Sequence, residues 1–155
     1  MILTLITILA LALFLGARFE GSGRSIDDSY NIRFGIVELD AEGRYRIAVE
    51  TTTIPFFTSD TGFAWGYVIQ PPEGAAYTTY EILYLPSPPL HIRFSVPIDR
   101  KDGGRIIQTA AVTRSDETLS FFSFDPGDPA GLWRLSIYIN DRLARSVRFS
   151  VVPPR

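Results

Sequence analysis

The chain has 155 residues, 46% of them hydrophobic and 21% charged, enough for one domain with a sizeable core. Its net charge is −2 and its positive charge is spread along the chain, which excludes the basic patch of a nucleic-acid binder. It has no cysteine, so disulfides, zinc thiolates, lipid attachment through cysteine and thiol catalysis are excluded as well.

The chain opens with "MILTLITILALALFLGA", which carries no charged side chain before Arg18. The run is short for a membrane span and reads as a signal peptide. Two features depart from that pattern: no Lys or Arg precedes the apolar run, and Leu15 stands where a small residue is preferred before a cut after Ala17. An uncleaved anchor is the alternative, with Arg18 marking the cytoplasmic side, and a buried helix of the domain is a third. The polar linker "EGSGRSIDDS" follows. The expected division is residues 1–23 as signal peptide or anchor plus linker, and residues 24–155 as the folded domain.

From Tyr30 the hydrophobic pattern has period two. "YNIRFGIVEL" puts Ile32, Phe34 and Ile36 on one face, and "AEGR" turns the chain. "YRIAVETTTIPF" is β-branched and extended, with Pro55 limiting pairing near its end. "GFAWGYVIQ" lines up Phe63, Trp65, Tyr67 and Ile69, while Gly62, Ala64 and Gly66 leave the other face bare for a close approach. "YEILYL", "IRFSV", "IIQTAAV" and "TLSFFSF" read as further short strands, and "PPEG", "PSPP", "IDRKDGGR" and "DPGDPAG" as turns and loops.

The chain closes on a hairpin, "AGLWRLSIYINDRLARSVRFSV", with Asn140-Asp141 as its two-residue turn. Trp133, Leu135, Ile137 and Ile139 share a face. Leu143, Val147, Phe149 and Val151 are expected to point inward after the turn, and Arg145 breaks the alternation. Trp65, Trp133 and Phe149 are the expected core anchors. About eight or nine strands at even spacing, with no amphipathic helix, predict an all-β, two-sheet antiparallel immunoglobulin-like sandwich behind an N-terminal hydrophobic helix, a closed barrel being the alternative.

Catalytic machinery is thin. The one histidine, His91, follows a Pro-rich turn, and no GxSxG elbow stands elsewhere. No phosphate loop, GxGxxG or zinc-ligand spacing occurs, so no cofactor and no metal are expected. Glu38, Glu50, Glu81 and the aspartates of "DPGDP" and "SIDDS" are the carboxylates that paired glycoside hydrolysis would need. Asp125 and Asp128 read as turn formers rather than calcium ligands. Aromatic residues offer a different site: Tyr77, Tyr80 and Tyr84 are the candidate partner or ligand surface, with Tyr77 expected on an exposed loop.

Four stretches, "FGIVELDAEGR", "TTTIPFFTSDTGFAWGYVIQPPEG", "LPSPP" and the closing "FFSFDPGDPAGLWRLSIYINDRLARSVRFSV", hold five ordered elements that carry a resemblance: an opening strand, a Thr-x-Ile-Pro step, a Gly-Phe-x-aromatic strand, a Pro-rich step, and a Pro-Gly-x-Trp hairpin whose entry here, Pro129-Ala130-Gly131-Leu132-Trp133, has one extra residue. Together, over roughly residues 30–152, they resemble the bacterial family catalogued as domain of unknown function 3859. The resemblance implies an immunoglobulin-like sandwich, often behind an export signal, and implies no activity and no catalytic residues.

The expected function is therefore that of a non-catalytic binding module in a bacterial cell envelope, periplasmic, surface-exposed or anchored to the inner membrane. Its partner would be an envelope protein or a surface polymer, with no nucleic acid, and with membrane contact through residues 1–17 if they are retained. The alternatives are a small carbohydrate-active hydrolase using paired carboxylates and a structural subunit assembling through edge strands.

Overall fold

The computed structural model describes residues 29–56, 61–91 and 94–153. The expected signal peptide or anchor, its helix and its linker lie outside the described residues.

Eleven strands follow one another among the described residues: β1 (Asn31–Leu39), β2 (Tyr45–Glu50), β3 (Thr53–Pro55), β4 (Phe63–Gln70), β5 (Tyr77–Tyr84), β6 (Ile98–Lys101), β7 (Ile106–Thr109), β8 (Val112–Arg114), β9 (Thr118–Phe122), β10 (Gly131–Ile139) and β11 (Arg142–Val152). The smaller sheet has the order β2-β1-β4-β9, and the larger β3-β11-β10-β5-β7-β6, with β8 also pairing β5. All pairs are antiparallel except β3, which runs parallel to β11.

The chain crosses between sheets from β2 to β3, β3 to β4, β4 to β5, β8 to β9 and β9 to β10. Pairing β4 with β9 on one side, and β5 with β10 and β11 on the other, makes this an immunoglobulin-like sandwich. The strands outnumber the eight or nine expected because extended runs break in two and because β6 forms at the start of "IDRKDGGR", which was expected to be a loop. "YRIAVETTTIPF" becomes β2 and β3, and the run after Gly104 becomes β7 and β8. The strand expected in "IRFSV" does not form at residues 94–97, which are irregular.

Alternation sets the core. Ile32 and Phe34 of β1, Trp65, Tyr67 and Ile69 of β4, and the odd-numbered residues Trp133 to Ile139 of β10 are buried between the sheets. Trp65 lies at the crossing point. Its ring stacks on Phe122 at 4.7 Å, lies 4.9 Å from Phe149, and meets Trp133 edge-on at 6.0 Å. These contacts tie β4 and β9 of one sheet to β10 and β11 of the other.

Gly35 and Gly66 face each other across β1 and β4. A Cβ on either would run into the backbone of the next strand, at Val49 or Ser120. The close approach that these small residues permit is thus made by the neighbouring strands β2 and β9. Across that outer face Tyr45 stacks on Phe121 at 4.4 Å.

The closing hairpin turns through Asn140 and Asp141, both in the left-handed region at φ 49° and 60°, as a tight two-residue turn requires. The turn is tied to β5: the Asn140 N–H donates to the Thr78 carbonyl at 2.9 Å, and the Thr78 N–H donates to Asn140 Oδ1 at 3.0 Å. A bulge then shifts the register, so that Ile137 faces Arg145 but Tyr138 faces Leu143. This overturns the expected orientation of Leu143, which is exposed. It also explains Arg145, whose guanidinium donates to the Ile32 carbonyl at the rim of the sandwich.

Trp133 is 3% exposed, and its indole N–H donates to the Pro129 carbonyl at 2.8 Å. Trp133→Ala is expected to lower the unfolding free energy by about 3–5 kcal/mol in denaturant titration. An unchanged value would contradict its place in the core.

Candidate functional site

The three tyrosines singled out in the sequence separate onto opposite faces of β5, whose residues are buried and half-buried in turn. Tyr77 is a correction. It is 2% exposed, because β5 begins at Tyr77 itself, on an inward position. Its phenol donates to Thr118 at 2.8 Å, or to the Asp116 carbonyl at 3.0 Å, and so ties the larger sheet to β9. Tyr80 and Tyr84 point outward and are half-buried.

On that outer face the two tyrosines meet cross-strand partners from β10. Tyr80 stacks on Tyr138 with ring centroids 4.8 Å apart and planes 4° from parallel. The Arg134 guanidinium sits 3.7 Å over the Tyr84 ring. On its other side Arg134 faces Arg148 of β11. Among the described residues neither arginine is paired with a carboxylate, and like charges opposed across strands are unfavourable.

A second feature lies on the open flank of the sandwich. Between β9 and the β7–β8 side of the larger sheet is a cleft of about 530 Å³, with residues of the connection 89–96 along its rim. Trp65, Phe94, Phe122 and Phe124 give it aromatic walls. Three carboxylates line it: Glu81 from β5, and Asp125 and Asp128 from the turn before β10. The turn closes on itself, with the Asp125 N–H donating to Asp128 Oδ2 at 2.8 Å and the Asp128 N–H to the Asp125 carbonyl at 3.0 Å. Burial, then the nearby Asp125 charge, raises the Asp128 carboxyl above the usual aspartate range, against the pull of that backbone N–H and of His91. Among the described residues no group of three or more His, Asp or Glu side chains could hold a metal ion.

Glu81 is the residue that sequence reading placed only in a general pool of carboxylates. It is 8% exposed and faces the core. The Tyr67 phenol, from the opposite sheet, donates to one carboxylate oxygen, and the Thr109 hydroxyl donates to the other. The Glu81 N–H in turn donates to Thr109 Oγ1 at 2.9 Å. The signal was present in "YTTYEILY", where a strict alternation assigns Glu81 the same face as Tyr77, Thr79 and Leu83. Two polar atoms near it are less well served: Trp65 Nε1 and Thr79 Oγ1 are buried and meet no aligned hydrogen-bond partner among the described residues, although Thr79 lies beside the Tyr67 phenol.

Burial, and then the charge of Glu81, push the Tyr67 phenol well above the ordinary tyrosine value of 10.0. A proton held more tightly in the folded state stabilises the fold fully below the unfolded value, and that contribution is lost as pH rises through it. The unfolding free energy is therefore expected to fall as pH climbs past about 10, and to fall less steeply in Tyr67→Phe. Urea titrations across that range check this; parallel pH profiles for the two proteins would contradict it.

No curated protein matches the chain. Among solved structures it is similar to an immunoglobulin-like protein from Pseudomonas aeruginosa, with 20% identity and a TM-score of 0.48, over 83% of this chain and 95% of that one. The family profile described as "PM0630 beta sandwich domain" matches residues 32–152, from the first strand of the sandwich to the end of the closing hairpin. The chain belongs to the PM0630 beta sandwich domain family.

Proposed function

We propose that the protein is a non-catalytic binding module, exported to a bacterial cell envelope or anchored in it, that holds an acidic partner protein on the outer face of its larger sheet. The observation that carries this reading is the Arg134–Arg148 pair beside Tyr84 and the Tyr80–Tyr138 stack. Tyrosine and arginine are the residues that anchor protein interfaces. Two opposed arginines without carboxylates cost the free protein stability, and an acidic group docking between them relieves that repulsion. The apolar run at residues 1–17 supports export or anchoring. The order of the five sequence elements supports the finer placement in the domain of unknown function 3859 family.

A second reading keeps one observation in its favour. A small carbohydrate-active hydrolase needs two carboxyl groups on a concave surface, and the cleft has Glu81, Asp125 and Asp128 on its walls, with burial raising the Asp128 carboxyl from its ordinary value. Turnover of chromogenic glycosides, abolished by Asp128→Asn, would establish it.

The binding reading is tested by crosslinking the tagged full chain in its native host and identifying what co-purifies. One stoichiometric acidic envelope protein is expected. It should be lost in Arg134→Glu and Arg148→Glu variants and weaken as salt rises. An unchanged partner set after both charge reversals would overturn the assignment of this face, and capture of an anionic polymer in place of a protein would overturn the assignment of the partner.

A further inference from the structure

The free edge of β9 carries an inference that does not depend on the outer face. We propose that this edge pairs with an extended, apolar, basic-flanked segment of a partner protein, which lies along the cleft as an added strand.

An edge strand presents alternate N–H and C=O groups that no neighbouring strand takes up. Among the described residues β2 and β9 end the smaller sheet, and β3 and β6 end the larger. Three of these edges carry features that discourage pairing. β2 has Arg46 and Glu50, and β6 has Asp99, Arg100 and Lys101. β3 is three residues long and ends on Pro55. β9, "TLSFF", has neither charge nor proline. Its ladder runs to β4 alone, and among the described residues no other backbone hydrogen bond between main-chain groups reaches it.

The cleft lies along this edge. Ser120 and Phe122 pair with the inward residues Tyr67 and Trp65, and so point between the sheets. Leu119 and Phe121 point the other way, and Phe121 stacks on Tyr45 of the outer face. All four border the cleft. Residues of both faces border one cleft where the strand turns its edge toward it. The four are half-buried or exposed, so the backbone between them is within reach of a partner.

These features select the occupant. A free strand edge is matched by extended backbone, whose main-chain groups pair while its alternate side chains enter the groove. Ile107, Ala110 and Val112 on the facing wall suit apolar side chains at those positions. The flanks are acidic: Asp116 and Glu117 stand just before β9, and Asp128 lies on the cleft wall beyond its end. Arg114 offsets one of these charges. Basic residues on either side of the apolar segment complement both ends. A second copy is a poorer match, because antiparallel pairing of two β9 edges sets the acidic start of one beside the acidic end of the other.

Amide hydrogen exchange, read by NMR on the ¹⁵N-labelled full-length protein, tests this. The probe is a synthetic peptide of alternating threonine and valine with lysines at both ends. One control has glutamates in place of the lysines, and another is N-methylated at every threonine and valine. With the lysine peptide, alternate amides of β9, those directed away from β4, are expected to gain protection. The glutamate peptide should bind several-fold more weakly, and the N-methylated peptide should give no protection. Asp116→Lys, at an exposed position, should weaken the lysine peptide several-fold. Arg134→Glu should leave the protection unchanged, so loss of the outer-face reading would not affect this one. Unaltered exchange in β9 of the folded protein at millimolar lysine peptide would overturn the proposal, as would protection of β2, β3 or β6 in its place. Equal binding of the N-methylated peptide would overturn pairing through the backbone. Protection of the same amides before any peptide is added would overturn the assignment to a partner protein. It would point to a second copy if it faded on dilution, and to residues 1–17 of the same chain if it did not.

Discussion

A hydrogen bond across the core, from the Tyr67 phenol of the smaller sheet to the Glu81 carboxylate of the larger, sets the character of the open flank. A carboxylate on an inner face is tolerated only when its oxygens are hydrogen-bonded. Tyr67 supplies one donor from the facing sheet and Thr109 the other from the neighbouring strand. Strand order makes both donors available. β4 brings Tyr67 inward beside Trp65, and β7 lies beside β5 so that Thr109 reaches Glu81.

In the same core the sheets also meet through rings. Trp65 touches Phe122, Phe149 and Trp133, which come from both sheets. This cluster gives the sandwich its apolar cohesion, which a chain without disulfides must find in packing alone. The Tyr67–Glu81–Thr109 group adds little by comparison, since buried polar networks roughly break even against apolar packing. It does leave polar chemistry inside an apolar cleft.

Much of the architecture can be read from period-two alternation. The inward residues of β1, β4 and β10 follow from it directly, and Asn140-Asp141 announces its turn because both residues tolerate positive φ. Other features depend on pairing that one strand cannot reveal. The bulge at Ile137 and Tyr138 exists only in the register of β10 against β11, so the exposure of Leu143 was not legible. Tyr77 was misread because β5 begins at Tyr77, three residues before the "YEILYL" stretch that reads as its strand. Of the cleft, Glu81 was legible as a charge at an inward position. Its partners were not, because Tyr67 and Thr109 come from distant parts of the chain.

The buried polar trio of Tyr67, Glu81 and Thr109 is not needed to hold the fold, because a buried polar network roughly breaks even against apolar packing. The most direct test replaces all three groups with apolar residues of similar shape, as Tyr67→Phe, Glu81→Leu and Thr109→Val together, and measures the unfolding free energy. Removing donors and acceptor at once leaves no unpaired group, so an unchanged or higher value is predicted. A loss of more than about 3 kcal/mol would contradict the claim and make the trio a structural element of the sandwich.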